Sequence, residues 1–207
     1  MNNKITIIDY GMGNLYSVSN AVAAVGGEPV VTQDRDVIAA AEKIILPGVG
    51  AFGDCMANLQ KSGLIPVIMD ALHGGKPFLG ICLGMQVLFE GSDEAPGVAG
   101  LGFFKGQVKY LSTSCKIPHM GWNSLHIQNS GRLFKGIPEN TYVYFVHSYY
   151  LQAEEEEIVK ATTQYSTCIH ASVEKGNVFA CQFHPEKSST VGLQILKNFA
   201  GVEGGRA

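Results

Sequence analysis

The chain has 207 residues, 46% of them hydrophobic, and a formal net charge of −3, which allows a sizeable core. With no Lys/Arg cluster and no apolar stretch of membrane-spanning length, neither nucleic acid nor a membrane is expected as a partner. Five cysteines, an odd number at scattered positions, argue against a disulfide framework and for a reducing cytoplasm. The chain runs almost at once into Ile5-Thr6-Ile7-Ile8, so residues 4–9 are expected as an apolar strand and no secretory leader is expected. Residues 15–25 read as a helix stopped by Gly26-Gly27, residues 29–32 as a second strand and residues 43–46 as a third. Residues 64–72 predict a helix with Pro66 in its first turn, ended by Gly74-Gly75. Residues 76–81, entered through Pro77, predict a short buried strand, and residues 85–90 the start of a helix. This alternation implies an α/β class: an open, mostly parallel, doubly wound sheet with helices on both faces. Between residues 107 and 181 short strands and turns predict an antiparallel extension, with Glu154 to Glu157 as a solvated turn. Residues 192–200 read as a closing helix and residues 201–207 as a frayed tail. Neither an internal repeat nor a low-complexity linker interrupts residues 1–200, which are expected to form one domain.

Cys82 stands in Gly80-Ile81-Cys82-Leu83-Gly84-Met85-Gln86, between the predicted strand and the predicted helix. A nucleophile on a sharp strand-to-helix turn is exposed at the top of a sheet, and flanking glycines leave room for that turn. Cys82 would then sit at a helix N-terminus, where free N–H groups favour a thiolate. The N–H of Leu83, one residue on, is placed to donate to an oxyanion. Taken alone, the pattern serves a buried cysteine packed as a small hydrophobe equally well.

The segment 178–183 has strand-like content and ends at His184-Pro185-Glu186. Pro185 keeps His184 extended, and in an extended segment residues two apart project to one side. Glu186 can then orient the imidazole, as the third group of a triad does. On its own, a strand-end histidine near a surface glutamate is the equal alternative. A metal reading of Cys181-x-x-His184 lacks two further ligands at suitable spacing, since no Cys-x-x-Cys or His-x-x-x-His occurs. His73, His119, His126 and His170 have no partner pattern and are expected to be structural or exposed.

In an open α/β sheet, sites lie beyond the carboxyl ends of the strands. Three loops qualify: residues 9–14, Pro47-Gly48-Val49-Gly50, and the Cys82 turn. Gly11-x-Gly13 after a strand invites a dinucleotide reading, but the third glycine position is Tyr16. A phosphate-binding Walker loop also fails, because Gly75-Lys76 is followed by Pro77. Pro47-Gly48-Val49-Gly50 by itself is an ordinary glycine turn.

Together, Gly80 to Gln86 and His184-Pro185-Glu186 resemble the class I, triad glutamine amidotransferase domain. Asp9-Tyr10-Gly11-Met12-Gly13-Asn14-Leu15-Tyr16-Ser17, Pro118-His119-Met120-Gly121-Trp122-Asn123 and Tyr144-Phe145-Val146-His147-Ser148-Tyr149 narrow it. The set is similar to the glutaminase subunits of imidazole glycerol phosphate synthase, over nearly the whole chain. The resemblance implies that Cys82, His184 and Glu186 are catalytic, and that the N–H groups of Gly50 and Leu83 form the oxyanion hole. It implies that Gln86, Glu94, His147, Ser148 and Tyr149 bind glutamine, with Glu94 on the substrate α-amino group. It places Asn14 at the interface with a synthase subunit. Trp122, the only tryptophan, is assigned to that interface too, the core being its other reading. The implied partner is a (β/α)8 barrel cyclase that uses ammonia to make imidazole glycerol phosphate and an aminoimidazole carboxamide ribotide. Neither a cofactor nor a metal is expected. The family pattern further implies weak activity of the chain alone and a rearrangement near Val49-Gly50 on binding. Two rival readings are a glutaminase of the same class serving another pathway and a non-enzymatic relative with a degenerate site.

Overall fold

The computed structural model describes residues 3–112, 114–128 and 131–204. The first half alternates: β1 (Lys4–Ile8), α1 (Leu15–Ala24), β2 (Glu28–Thr32), α2 (Arg35–Ala40), β3 (Ile44–Gly48), α3 (Phe52–Ser62), α4 (Ile65–His73), β4 (Phe78–Cys82) and the one-turn α5 (Leu83–Gln86). Nine strands follow: β5 (Gly91–Ser92), β6 (Gly106–Tyr110), β7 (His119–Ser124), β8 (His126–Ile127), β9 (Tyr142–His147), β10 (Tyr149–Ala153), β11 (Val159–Tyr165), β12 (Thr167–Lys175) and β13 (Val178–Cys181). The last helix is α6 (Ser189–Ala200). The main sheet has the order β2-β1-β3-β4-β13-β12-β11-β8. Its members from β2 to β13 are parallel, and β12, β11 and β8 extend it antiparallel. The mixed sheet expected from the alternation is therefore present.

Alternation along each strand divides the core into two layers. Ile45, Leu79 and Phe179 join α1 and α6 through Val22, Ile195 and Phe199. Their neighbours Ile44, Phe78 and Ala180 join Ile38, Phe52, Leu59 and Ile68 of α2, α3 and α4 on the other face. Strands buried on both faces read as continuous apolar runs, as Ile44 to Leu46 and Phe78 to Ile81 do. The β7–β9 hairpin packs on the α1 and α6 side through Val143 and Phe145.

Three expectations change. Helices α2 and α3 have no counterpart in the chain-order reading, although Phe52, Cys55, Met56 and Leu59 of α3 have the spacing of a buried helical stripe. The helix expected over residues 85–90 is instead α5, finished by Gln86. Its continuation is overridden by tertiary hydrogen bonds. The carbonyls of Val87, Leu88, Phe89 and Glu90 accept from the N–H groups of Leu101, Phe104, Gly102 and Gly100 at 2.7–3.2 Å. Where a frayed tail is expected, Val202 is buried against the core and its N–H donates to Phe199 O at 3.0 Å. Residues 205–207 lie outside the described part.

Two histidines brace the hairpin. His147 Nδ1 lies 2.9 Å from Tyr149 O, which can only accept, so His147 Nε2 is bare and accepts from His119 Nδ1 at 2.9 Å. His119 Nε2 in turn accepts from Asn123 Nδ2 at 3.3 Å. The His119 ring stacks between Phe145 and Tyr165, with centroids at 4.8 and 4.0 Å. Burial lowers the His119 pKa to about 4; burial, with His119 beside it, lowers that of His147 to about 3. Both stay neutral when folded, whereas an unfolded histidine gains its proton near pH ~6.5. Their contribution is present above pH ~6.5 and is lost as pH falls toward their folded values. The melting temperature should therefore drop as pH is lowered from about 6.5 to about 4. A His119→Phe variant, followed by circular dichroism, should show a shallower drop over that window.

Candidate active site

Cys82 ends β4 and caps α5 with φ 55° and ψ −110°, a backbone conformation unfavourable for any residue with a side chain. Close packing holds it there. A Cβ on Gly84 would stand 1.9 Å from Leu46 O, and one on Gly48 would stand 2.6 Å from Gly84 N. These glycines let the turn press against β3, whose Gly48 pairs in register with Cys82. A single turn of helix carries little macrodipole, so the N-terminal effect on Cys82 reduces to the nearest N–H groups. The N–H of Gly50 donates to no other group among the described residues. Gly50 adopts φ 95°, and both it and Leu83 face the cavity at Cys82.

β13 lies beside β4, with Cys181 paired to Ile81, and this register brings the downstream motif to the nucleophile. His184 is extended, but residues 185–187 form a 3-10 turn rather than the extended segment expected. The turn curls Glu186 back beneath the imidazole, and His184 Nδ1 meets Glu186 Oε1 at 2.8 Å. The side chains are 2% and 1% exposed, so this ion pair is not screened by water. Burial pushes the His184 pKa down, but hydrogen bonding and charge from Cys82 and Glu186 overturn it and raise it to about 10. Nε2 of His184 nevertheless has no partner in hydrogen-bond geometry among the described residues. A looser nucleophile–base contact of this kind is common before substrate is bound.

One cavity of about 310 Å³ gathers most of the residues singled out above. It is lined by Gly50, Cys82, Leu83, Gln86, Glu94, His147, Ser148, Tyr149 and His184. Glu186 lies behind His184. The Glu94 carboxylate accepts from Phe52 N–H at 2.8 Å, which fixes an anion at the cavity wall. Asn14 and Trp122 are elsewhere. Asn14 caps α1 by accepting from Ser17 N–H at 3.2 Å. Trp122 is 52% exposed, which removes the core reading, and it stands edge-on to Tyr144. The loop after β1 touches the end of β3 and helix α3: Tyr10 Oη donates to Pro47 O at 2.9 Å and accepts from Cys55 Sγ at 3.3 Å.

Val49, Pro118 and Val146, which stand in the quoted segments but were given no part in binding glutamine, also line the cavity, as does Lys187, which stands outside every motif. Gln182 is the more informative omission. It is fully buried; its Oε1 accepts from Gln86 Nε2 at 2.9 Å, and its Nε2 points at Cys82 Sγ at 3.7 Å. A lone amide inside the apolar run 178–183 is the signal that marks it. Among the described residues no group of side chains could hold a metal ion, and no helix is long and apolar enough to cross a membrane.

The family described as Glutamine amidotransferase class-I matches residues 6–201. "Imidazole glycerol phosphate synthase subunit HisH" of Moorella thermoacetica is 53% identical over 195 residues, covering 94% of this chain and 93% of that one. Its counterpart in Aquifex aeolicus is 50% identical over 197 residues, covering 95% of each. A solved structure described as PurLQS from Thermotoga maritima superposes with a TM-score of 0.73. At 23% identity over 96% of each chain, it speaks for the fold alone. The chain thus belongs to the class I glutamine amidotransferases, within the family of imidazole glycerol phosphate synthase HisH subunits.

Proposed function

We propose that Cys82, His184 and Glu186 hydrolyse the side-chain amide of glutamine and that the ammonia passes to a separate cyclase subunit. The supporting observation is the cavity in which the Cys82 turn with Leu83, His184, the free N–H of Gly50 and a fixed carboxylate converge. The chain is the glutaminase component of imidazole glycerol phosphate synthase and acts in histidine biosynthesis. His184, oriented by Glu186, holds the proton given up by Cys82. The sulfur attacks the carboxamide carbon, and the Gly50 and Leu83 N–H groups receive the oxyanion, each such donor contributing about 3 kcal/mol. As the C–N bond breaks, His184 protonates the leaving nitrogen and ammonia departs. Water then attacks the glutamyl thioester, gives its proton to His184, and displaces the sulfur, leaving glutamate. Glu94 is suited to the substrate ammonium, and Gln86 Oε1 and the segment His147-Ser148-Tyr149 to the rest of the molecule.

The cyclase is taken to be a (β/α)8 barrel, and the compartment a reducing cytoplasm, in keeping with an odd number of scattered cysteines. Residues 1–200 serve as one amidotransferase domain. The docking face we assign is the outer face of the β7–β9 hairpin, together with Asn14. Met120 and Trp122 are exposed there opposite Val146 and Tyr144 in register, and Tyr142 is exposed opposite Ser124. Exposed aromatic and Met side chains on one surface are typical of a protein interface core.

Glutamate release should rise when the chain is mixed with a barrel cyclase loaded with its ribotide ligand; unchanged turnover would refute the coupling. Cys82→Ala should lower glutaminase turnover by about a thousandfold or more. Glu186→Gln should lower kcat about a hundredfold or more. It should also move the alkaline limb of the rate profile to lower pH, because one of the groups that raises the His184 pKa is gone. Trp122→Asp should weaken cyclase binding about tenfold or more in calorimetry while leaving the melting temperature near that of the parent.

A further inference from the structure

Three side-chain and backbone groups form a polarised line that ends on the sulfur. Tyr149 O is an acceptor and cannot be anything else. It lies 3.1 Å from one end of the Gln86 amide, which must therefore be the NH2 end. That nitrogen has a second proton, directed at Gln182 2.9 Å away, so Gln182 must present its oxygen to it. The other end of the Gln182 amide is then NH2, and it lies 3.7 Å from Cys82 Sγ. One backbone carbonyl thus decides which atom faces the nucleophile. Neither amide can flip without setting oxygen against oxygen, or oxygen against sulfur, in a buried space. Gln182 is wholly buried and Gln86 is 4% exposed, so water does not substitute for either contact.

We infer that Gln182 is a further functional residue of this site, a neutral donor that holds negative charge on Cys82 Sγ. The inference rests on the reading of Cys82 as the nucleophile. An amide N–H does not take up a proton at neutral pH, so it supports the thiolate without competing with His184 for the proton. The contact counts twice in each turnover. It favours the charged sulfur before attack, and it stabilises the thiolate that forms again when the C–S bond of the water adduct of the thioester breaks and the electron pair returns to sulfur. Gln86 acquires a divided role. Both protons on its nitrogen are committed to Tyr149 O and Gln182, so only its Oε1 is left for substrate. Since Tyr149 also lines the cavity, the segment that meets substrate is the one that sets the polarity at the sulfur.

The test is the rate of iodoacetamide alkylation of Cys82 in the free chain, resolved from the other cysteines by peptide mass spectrometry across the pH range. Exposed Cys168 is the internal control. Gln182→Met keeps the volume and removes the donor; it should slow Cys82 labelling about tenfold near pH ~7 and approach the parent rate near pH ~10. Gln182→Glu adds an anion at the same place and should slow it further, and neither variant should alter Cys168. Should these variants fold poorly, the unaltered chain still decides the matter by nuclear magnetic resonance. The Gln182 side-chain N–H signals should move with the pH midpoint of Cys82 labelling and lose that response in Cys82→Ala. Parent-like labelling in folded variants, or signals that ignore the sulfur, would overturn the role of Gln182 alone. A parent Cys82 that labels no faster than Cys168 would instead overturn the nucleophile on which it rests.

Discussion

The chemistry of this chain depends on one strained residue. Cys82 is held at positive φ because β4 lies in the middle of the main sheet and its turn is pressed against β3. The conformation is unfavourable by about 1–3 kcal/mol, and it persists because the surroundings over-determine it. Gly48 and Gly84 are part of that constraint, since a methyl group at either would collide with backbone, not with a movable side chain. The reward is directional: the thiol leaves the sheet at its carboxyl edge, where the loops after β3 and β13 also end. The site is thus a property of the sheet more than of any one motif.

The second determinant is dryness. His184 and Glu186 are nearly inaccessible, and Glu186 keeps one carboxylate oxygen, Oε2, without a partner among the described residues. A half-satisfied buried carboxylate opposes folding. The same burial makes its attraction for the imidazole far stronger than a surface pair would be. The neutral His119–His147 pair solves the opposite problem. There two buried bases are kept uncharged by a line of hydrogen bonds with one consistent set of tautomers. The site therefore holds one histidine that keeps its proton and another that refuses it, in a small volume.

Much of this was legible in the residues. Strands buried on both faces announce themselves as apolar runs, and the triad as two short motifs, because each is set by local backbone geometry. The proposed Gly50 oxyanion position and the substrate positions came through resemblance, since a backbone N–H group leaves no mark in side-chain identity. What escaped was decided at a distance. The helix beyond Gln86 stops because residues 100–104 claim its carbonyls. Glu186 reaches His184 through a 3-10 turn, a detour that residue spacing does not distinguish from an extended step. Gln182 was hidden by its setting in an apolar strand, where a polar residue signifies only once its neighbours are known.

The placement of β13 has a consequence for synthesis. It inserts between β4 and β12, so the strand that brings His184 to Cys82 is the last of the sheet to leave the ribosome. Pairings so distant along the chain form late, after the loops between them have closed. Until then the thiol has neither base nor completed cavity. A truncated or half-folded chain therefore carries an unarmed cysteine, and the ability to consume glutamine appears together with the finished sheet.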